Sequence, residues 1–407
     1  MQYGPKIVTD GLVLCLDAAE VNSYAGEPTT NNLSSSDVAN ANAAPNRTNQ
    51  YSNIAITKEV VYYSSNRPHV YRIKSTNATG YFSMGYDSSI QNQSGSVYAF
   101  SFDYKVVRAD TGTGTNLGAG SFLVYGNGYK LPTSSNIASN ISSSEVELSD
   151  GWKRVTKTYT CGYTGYNQTR QDLTTGDTGD FEVLIDNIQF EDKTYSTPFA
   201  DLSRSATNGW LDLSGNGNNG TLTNMVGTGV SHYRDGQVIK PINNAYLDFD
   251  GSNDYVSTSF GSGRDPYSNP ISFVAWVKSD ITTNKMWLDH GSNGTNQRLY
   301  SALITADNTD AFGIQGSAWS LPSNADTSKW YHQAIVMDSG TARAYYDGIA
   351  AGTKSYTSYT LPGNTIVGGR SSYYWDGKIA CFSIYNKALT AAEVLSNYNA
   401  TKGRFSL

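Results

Sequence analysis

The amino-acid sequence predicts an all-β protein made of two antiparallel β-sandwiches, with one short helix near its C-terminal end. The chain has 407 residues, which is too long for one ordinary core and suits two domains. Tyr (30) and Gly (39) are abundant, and Tyr favours strands whereas Gly supplies turns. Short apolar or alternating runs recur between Asp-Gly pairs, as tight turns in antiparallel sheets require.

The candidate strands begin with the apolar run 11–17 and recur to the end of the chain. The other predicted strands are 69–74, 97–107, 121–125, 152–160, 181–190, 245–249, 271–278, 286–290, 330–337, 342–346, 364–368 and 378–385.

One helix is predicted over 391–400. Thr390-Ala-Ala-Glu393 is a capping box, in which the hydroxyl and the carboxylate satisfy each other's free backbone donors. We expect Val394, Leu395 and Tyr398 to pack on a sandwich, because their spacing places them on one helix face.

Composition argues against several classes of function. The net charge is −6, and no basic stripe for nucleic acid is visible. No apolar stretch approaches the ~20 residues that a membrane span needs. The first ten residues lack the order of a signal peptide. Cys15, Cys161 and Cys381 are odd in number and widely spaced, so we expect no disulfide and no zinc site.

Five ordered segments of the C-terminal half resemble a concanavalin A-like domain of the laminin-G type. These segments are 247–256, 271–278, 329–336, 344–348 and 378–389. The resemblance implies an antiparallel sandwich in which the first and last strands are neighbours, so that Cys15 and Cys381 lie close together. It also implies a structural role for His332.

The opening segment 11–19 and the run 210–220 together resemble a pattern of phage structural proteins, in which the first leads directly into the second. Here about 185 residues separate Tyr24, at the end of the opening pattern, from Trp210. We therefore expect a discontinuous concanavalin A-like domain of residues 1–26 and 205–407, with residues 27–204 inserted. Residues 11–19 should pair into the same sheet system as residues 245–389.

The inserted part resembles a carbohydrate-binding module of the jelly-roll type. The segments that carry the resemblance are 95–104, 151–155, 184–191 and 196–199. Domains that end in this way bind many different ligands or none.

No catalytic constellation can be assembled from the sequence. The Glu-x-Asp-x-x-Glu strand of concanavalin-like hydrolases is missing, and the nearest pair, Glu145 and Glu147, stands in a Ser-rich context that predicts a loop. The four histidines are scattered, and His332 has no acid or base placed beside it. The sequence therefore predicts a protein that is not an enzyme.

No cofactor is indicated with certainty, and calcium is the ion that the residues suit. Asp250 and Asp254 in one turn, and Asp186 in the inserted part, offer hard oxygen ligands. The alternative is that they are turn formers. Relatives often carry an acidic pair in the last strand, where Ala380 and Cys381 stand here, which puts a metal there in doubt.

Glycan binding needs aromatic faces beside amides and carboxylates. The candidates are Tyr373, Tyr374, Trp375 and Trp319 in the C-terminal part, and Tyr163 and Tyr166 in the inserted part. For each of them, packing inside the fold is the alternative. Trp276 and Trp330 lie within predicted strands and are expected in the core.

Together these observations predict a phage virion surface protein, such as a fibre, collar or capsid decoration, that contacts glycans without chemistry. Its partners would be other virion proteins and cell-surface glycans, and a homo-oligomer on the particle is left open. It would be made in the host cytoplasm without a signal peptide and reach the particle surface by assembly and lysis. The alternatives are a virion spacer without ligand and a secreted host lectin, which the missing signal peptide disfavours.

Overall fold

The structure is a computed structural model with two compact units. The first, called the host unit, consists of Met1–Pro28, Ser205–His232 and Lys240–Leu407. The second, called the inserted unit, consists of Thr29–Arg204 and Tyr233–Ile239. The described residues are 6–20, 22–24, 26, 29–30, 47–50, 55–65, 67–108, 122–126, 129–130, 142–160, 165–197, 199–200, 203–225, 245–281, 285–291, 298–304, 309–314, 317–321, 326–361, 363–369 and 373–405.

Strands dominate the described residues, and the all-β fold class is confirmed. In chain order they are β1 Leu12–Asp17, β2 Thr29–Thr30, β3 Arg47–Gln50, β4 Ala55–Val61, β5 Val70–Asn92, β6 Val97–Arg108, β7 Phe122–Gly126, β8 Tyr129–Lys130, β9 Ser142–Glu147, β10 Lys153–Thr160, β11 Gly165–Glu191, β12 Ser203–Arg204, β13 Gly220–Thr223, β14 Leu247–Asp250, β15 Tyr255–Thr258, β16 Ile271–Ser279, β17 Lys285–Gly291, β18 Arg298–Ile304, β19 Thr309–Ile314, β20 Ser317–Leu321, β21 Tyr331–Asp338, β22 Thr341–Tyr346, β23 Ile349–Ser355, β24 Thr365–Val367 and β25 Asp376–Tyr385. The helix is α1, Ala391–Thr401, followed by a 3-10 turn over Lys402–Phe405.

The host unit contains two antiparallel sheets of seven described strands each. The first has the order β1-β25-β16-β21-β22-β23, with β14 also paired to β25, and the second has the order β13-β15-β24-β17-β18-β19-β20. Apolar side chains from both sheets form one buried cluster. Within it Trp287 of the second sheet meets Phe382 of the first edge to face, with ring centroids 6.3 Å apart. This is the core of a concanavalin A-like sandwich.

The first strand belongs to the same sheet as the last strand. β1 pairs antiparallel with β25, and this confirms the predicted pairing of the N-terminal segment with residues 245–389. Cys15 lies opposite Ser383, and Cys381 lies opposite Asp17, so the two thiols are on neighbouring strands but out of register. Both thiols are free, and burial raises the pKa of Cys15 to about 12.

The run 210–220 protects the outer edge of β1. The Leu213 amide donates to the Cys15 carbonyl at 2.8 Å, and the Cys15 amide donates to Asp212 Oδ1 at 2.9 Å. The Asn218 side-chain amide donates to the Val13 carbonyl at 2.7 Å. An edge strand left unpaired invites aggregation, and these polar groups occupy its donors and acceptors. The two segments thus cooperate physically although some 190 residues separate them in the chain.

The inserted unit is likewise antiparallel. Nine of its described strands form one sheet of order β3-β5-β11-β6-β10-β9, with β4, β7 and β8 attached. Its ends meet in the two-stranded ribbon of β2 and β12. The buried carboxylate of Glu191 ties β2 to the segment before β12, because it accepts from Thr29 Oγ1 at 2.5 Å and from the Thr197 amide at 2.9 Å. That this unit is a carbohydrate-binding jelly roll stays a prediction.

Two local expectations are corrected by the structure. Glu145 and Glu147 lie in strand β9 and not in a loop, because β9 pairs along the edge of β10. The helix and its capping box are confirmed, but Leu395 is 43% exposed. Asn397 is buried instead, where it accepts from the Val8 amide at 2.7 Å. Trp276 is buried, as expected.

Candidate functional site

Two groups of residues that the sequence singled out separately meet at one end of the host sandwich. The turn Asp250–Asp254 follows β14, and Tyr373–Trp375 precede β25. The Gly251 amide donates to the Trp375 carbonyl at 2.8 Å, and Asp250 lies opposite Asp376 in the paired strands. We call this place the rim, made of residues 250–255 and 373–376.

The three aromatic residues of the rim point in different directions. Tyr374 stacks on Tyr255, with ring centroids 6.3 Å apart and an angle of 27° between the rings. Tyr373 is 37% exposed, whereas Trp375 is fully buried in the core between the sheets. This corrects the expectation for Trp375, which offers no ring face to a ligand. The rim therefore has two separate candidates for stacking, the exposed ring of Tyr373 and the half-buried pair of Tyr255 and Tyr374.

The polar part of the rim is a self-capped turn. Asp250 Oδ1 accepts from the amides of Ser252 at 2.8 Å and Asn253 at 3.3 Å, the hydrogen bonding that makes Asp a turn former. Asp254 is 2% exposed, and its Oδ2 accepts from the Asp250 amide at 3.1 Å. Burial raises the pKa of Asp254 to about 6. Asp250, Ser252 and Asn253 are exposed and could bond a ligand's hydroxyl groups.

Ammonium groups lie among the carboxylates of this end of the sandwich. Lys285 Nζ donates to the Gly251 carbonyl at 2.6 Å. Lys378 Nζ bonds Asp280 and lies 3.7 Å from Asp248 Oδ1. Among the residues that the structure describes, no group of three or more His, Cys, Asp or Glu side chains has the arrangement of a metal site. Calcium binding at this turn therefore stays a prediction, in which the carboxylates of Asp250 and Asp254 would be the side-chain ligands.

Asp186, the third candidate for calcium, has an arginine as its cationic partner. Arg67 Nη1 donates to Asp186 Oδ2 at 2.8 Å, and Arg67 Nη2 donates to Asp103 Oδ2 at 2.8 Å. The guanidinium also lies 4.1 Å from the centre of the Trp152 ring. Burial raises the pKa of Asp186 to about 7, against the opposing effect of Arg67. Calcium at Asp186 stays a prediction, and this buried network argues against it because Arg67 already bonds the carboxylate.

Two of the remaining candidates for glycan stacking lie in other strands. Trp319 lies in β20, opposite Phe312 of β19, and Tyr166 lies near the start of β11, opposite Gln91 of β5. Tyr163 is outside the described residues.

Exposed aromatic side chains also occur where the sequence gave no sign of them. Tyr62 is 70% exposed in the inserted unit, and Tyr267 is 46% exposed in the host unit. Neither tyrosine stands in a sequence motif, so their exposure could be recognised only from the folded structure.

Residues 250–395 match the Laminin_G_3 family model, described as the concanavalin A-like lectin/glucanases superfamily. The match begins at the rim and ends within α1, so the concanavalin A-like fold applies to the C-terminal part of the host unit. A search of curated proteins found no match.

Several solved structures are similar at low identity. The binding domain of Paraclostridial Mosquitocidal Protein 1 is 17% identical over 47% of this chain and 50% of its own, with a TM-score of 0.35. Domain 4 of AbnA, a GH43 extracellular arabinanase from Geobacillus stearothermophilus solved with arabinotriose, is 20% identical over 46% of this chain and 91% of its own, with a TM-score of 0.35.

A third similar structure is botulinum neurotoxin type C, whose cell entry depends upon interaction with two ganglioside molecules. It is 15% identical over 47% of this chain and 49% of its own, with a TM-score of 0.35. The chain thus spans about half the length of the mosquitocidal and neurotoxin structures. In the described part of the chain, no helix has the length and apolar character of a membrane span.

Proposed function

We propose that this protein is a non-catalytic glycan-recognition protein and that the rim of its host unit is the contact surface. The observation that carries the proposal is the meeting of an exposed tyrosine, a stacked tyrosine pair and a polar turn at one end of the sandwich. Sugar rings stack on aromatic faces, while their hydroxyl groups bond amides and carboxylates. Tyr373 would supply the face, and Asp250 and Asn253 the polar contacts.

We place the protein on the surface of a phage particle. The support is the resemblance of segments 11–19 and 210–220 to phage structural proteins, together with the cooperation of these two segments at the edge of β1. A single shallow rim would bind a sugar weakly, and many copies on one particle would turn weak contacts into firm attachment. Virion location and glycan binding therefore support each other as one proposal.

The test compares Tyr373→Ala with the wild type on an array of bacterial surface glycans, using the full chain as a soluble protein. Loss of one stacking face should weaken retention roughly tenfold, the equivalent of ~1.4 kcal/mol, without changing the thermal midpoint. Tyr267→Ala is the matched control, because it removes an exposed tyrosine of the same unit from a loop outside the rim.

Four outcomes would contradict the proposal. Unchanged retention of Tyr373→Ala would remove the rim as the contact surface, and equal loss in both variants would show non-specific adhesion. Absence of any glycan retention by the wild type would favour the virion spacer. Release of sugar fragments by the wild type would overturn the proposal that the protein is not catalytic.

A further inference from the structure

The segment that covers β1 contains three Asn-Gly pairs within thirteen residues, and these pairs differ in exposure and hydrogen bonding. The pairs are Asn208-Gly209, Asn216-Gly217 and Asn219-Gly220. In any Asn-Gly pair the glycine nitrogen can attack the asparagine side-chain carbonyl, because no Cβ hinders its approach. Whether it does so in a folded protein depends on the freedom of that nitrogen and of the backbone around it.

Asn216-Gly217 is open to this attack. Both residues are exposed, and no atom lies within 4 Å of the position that a Cβ on Gly217 would take. The Gly217 N–H donates to no acceptor among the described residues. The nucleophilic nitrogen and the space beside Gly217 are therefore unobstructed.

The other two pairs are protected by hydrogen bonds. The Gly220 amide donates to the Trp210 carbonyl at 2.7 Å within a reciprocal bridge, and Gly220 itself is buried. Asn219 Oδ1 accepts from the Asp212 amide at 2.8 Å, which fixes its side chain. The Gly209 amide donates to the Ala206 carbonyl at 3.1 Å in a tight turn.

We propose that Asn216 is a site of spontaneous deamidation in the folded protein, and that Asn208 and Asn219 are not. The deprotonated Gly217 nitrogen forms a bond to Asn216 Cγ, the bond from Cγ to Nδ2 breaks, and ammonia leaves with the protons taken up from water. Water then opens the resulting succinimide ring at either carbonyl, giving aspartate or isoaspartate. Water is the reactant consumed, and no oxidant is needed.

The change falls on the edge cover of the first strand. Asn216 Nδ2 donates to the Leu12 carbonyl at 3.3 Å and to Ser214 Oγ at 2.9 Å. Ser214 Oγ in turn donates to Asp212 Oδ2 at 2.8 Å. A carboxylate at position 216 cannot donate to Leu12, and it adds a second negative charge beside Asp212. Deamidation therefore removes one of the bonds that occupy the edge of β1.

The experiment follows the full chain by peptide mapping during incubation at pH 8 and at pH 5. Trypsin cleavage after Arg204 and Arg234 releases one peptide that contains all three pairs, so tandem mass spectrometry compares them in a single molecule. We expect the mass gain of amide-to-acid conversion at Asn216 alone, faster at pH 8 because the attacking nitrogen must lose its proton. The same incubation in urea is the control, in which all three asparagines should convert.

Two results would overturn the proposal: conversion of Asn208 or Asn219 as fast as Asn216 in the folded chain, or an intact Asn216 in the folded chain while the unfolded chain converts.

A second experiment tests the effect of deamidation on the edge of β1. Asn216→Asp should accelerate hydrogen exchange of the β1 amides relative to the wild type, whereas Asn208→Asp should leave it unchanged. Equal exchange in wild type and Asn216→Asp would remove the effect on the strand edge.

Discussion

His332 shows how one buried side chain can couple the host unit to pH. It lies in β21, 1% exposed, with its ring 5.3 Å from Trp276 and 5.8 Å from Tyr398 between centroids. Burial in this aromatic setting lowers the pKa of His332 to about 3. The imidazole is therefore a neutral packing group, in agreement with the structural role that the family resemblance implied.

The first prediction follows from this lowered pKa. Below pH 6.5, His332 binds a proton in the unfolded chain but stays neutral in the folded chain. The free energy of unfolding should therefore fall by up to about 1.4 kcal/mol for each unit by which the pH is lowered. The loss continues until the folded pKa is reached. Urea unfolding at pH 7 and pH 5 should show a smaller difference for His332→Asn than for the wild type. If NMR showed a charged His332 imidazole in the folded protein at pH 5, the lowered pKa of His332 could not be the cause of this pH dependence.

The rim shows which part of a site the sequence predicts at this scale. The sequence identified the polar turn at Asp250 and the aromatic run at Tyr373, since both are local patterns. It did not reveal which of three consecutive rings faces outwards, because that depends on how the two sheets pack around Trp375. The stacking partner Tyr255 was missed for the same reason, as only strand pairing brings it beside Tyr374.

At the scale of elements, the C-terminal segment acts as a cover for the outer face of the first sheet. Phe405 stacks on Trp276 with ring centroids 4.3 Å apart and lies 4.8 Å from the centroid of Trp330. Trp276 Nε1 donates to Thr401 Oγ1 at 2.7 Å. The capping box of α1 was predictable from four residues, but the face that α1 buries was not, since the sheet beneath it selects Val394 and Asn397.

The second prediction measures this cover. Phe405→Ala should lower the free energy of unfolding of the host unit by about 3 kcal/mol, because a buried ring is lost and a cavity is left between two indoles. Leu395→Ala, in the same segment but exposed, should change it by less than about 1 kcal/mol. Tryptophan fluorescence of Phe405→Ala should also shift to longer wavelength. Equal effects of the two substitutions would show that the segment contributes little by packing.

At the scale of the whole molecule, the insertion of residues 27–204 into a discontinuous domain stays a prediction, and the adjacent ends of the inserted unit support it. The ends of the inserted unit meet at β2 and β12, and Glu191 bonds Thr29 of β2 and Thr197, which precedes β12. A unit whose ends are adjacent can be placed in a loop of another unit at small cost. The strands 298–304, 309–314 and 317–321 were missed, because nothing in their residues alternates clearly enough to stand out from the surrounding loops.

The third prediction is that each unit folds without the other. Residues 29–204 alone should unfold cooperatively in urea, because their ribbon and Glu191 lie inside the piece. Its tryptophan is Trp152, buried against Arg67, so fluorescence reports its folding directly. The host unit, with residue 28 joined to residue 205 by a short Gly-Ser linker, should also unfold cooperatively, because β1 can still pair with β25.

A host unit that starts at residue 205 is the matched control for the third prediction. It lacks β1, so β25 loses a neighbour and Asp212, Leu213 and Asn218 lose the backbone groups that they bond. Its free energy of unfolding should therefore fall well below that of the linked host unit, because buried polar groups are left without partners. Equal stability of these two host units would mean that the N-terminal strand is dispensable. In that case the interruption of the host unit would be an accident of chain order rather than an insertion between cooperating segments.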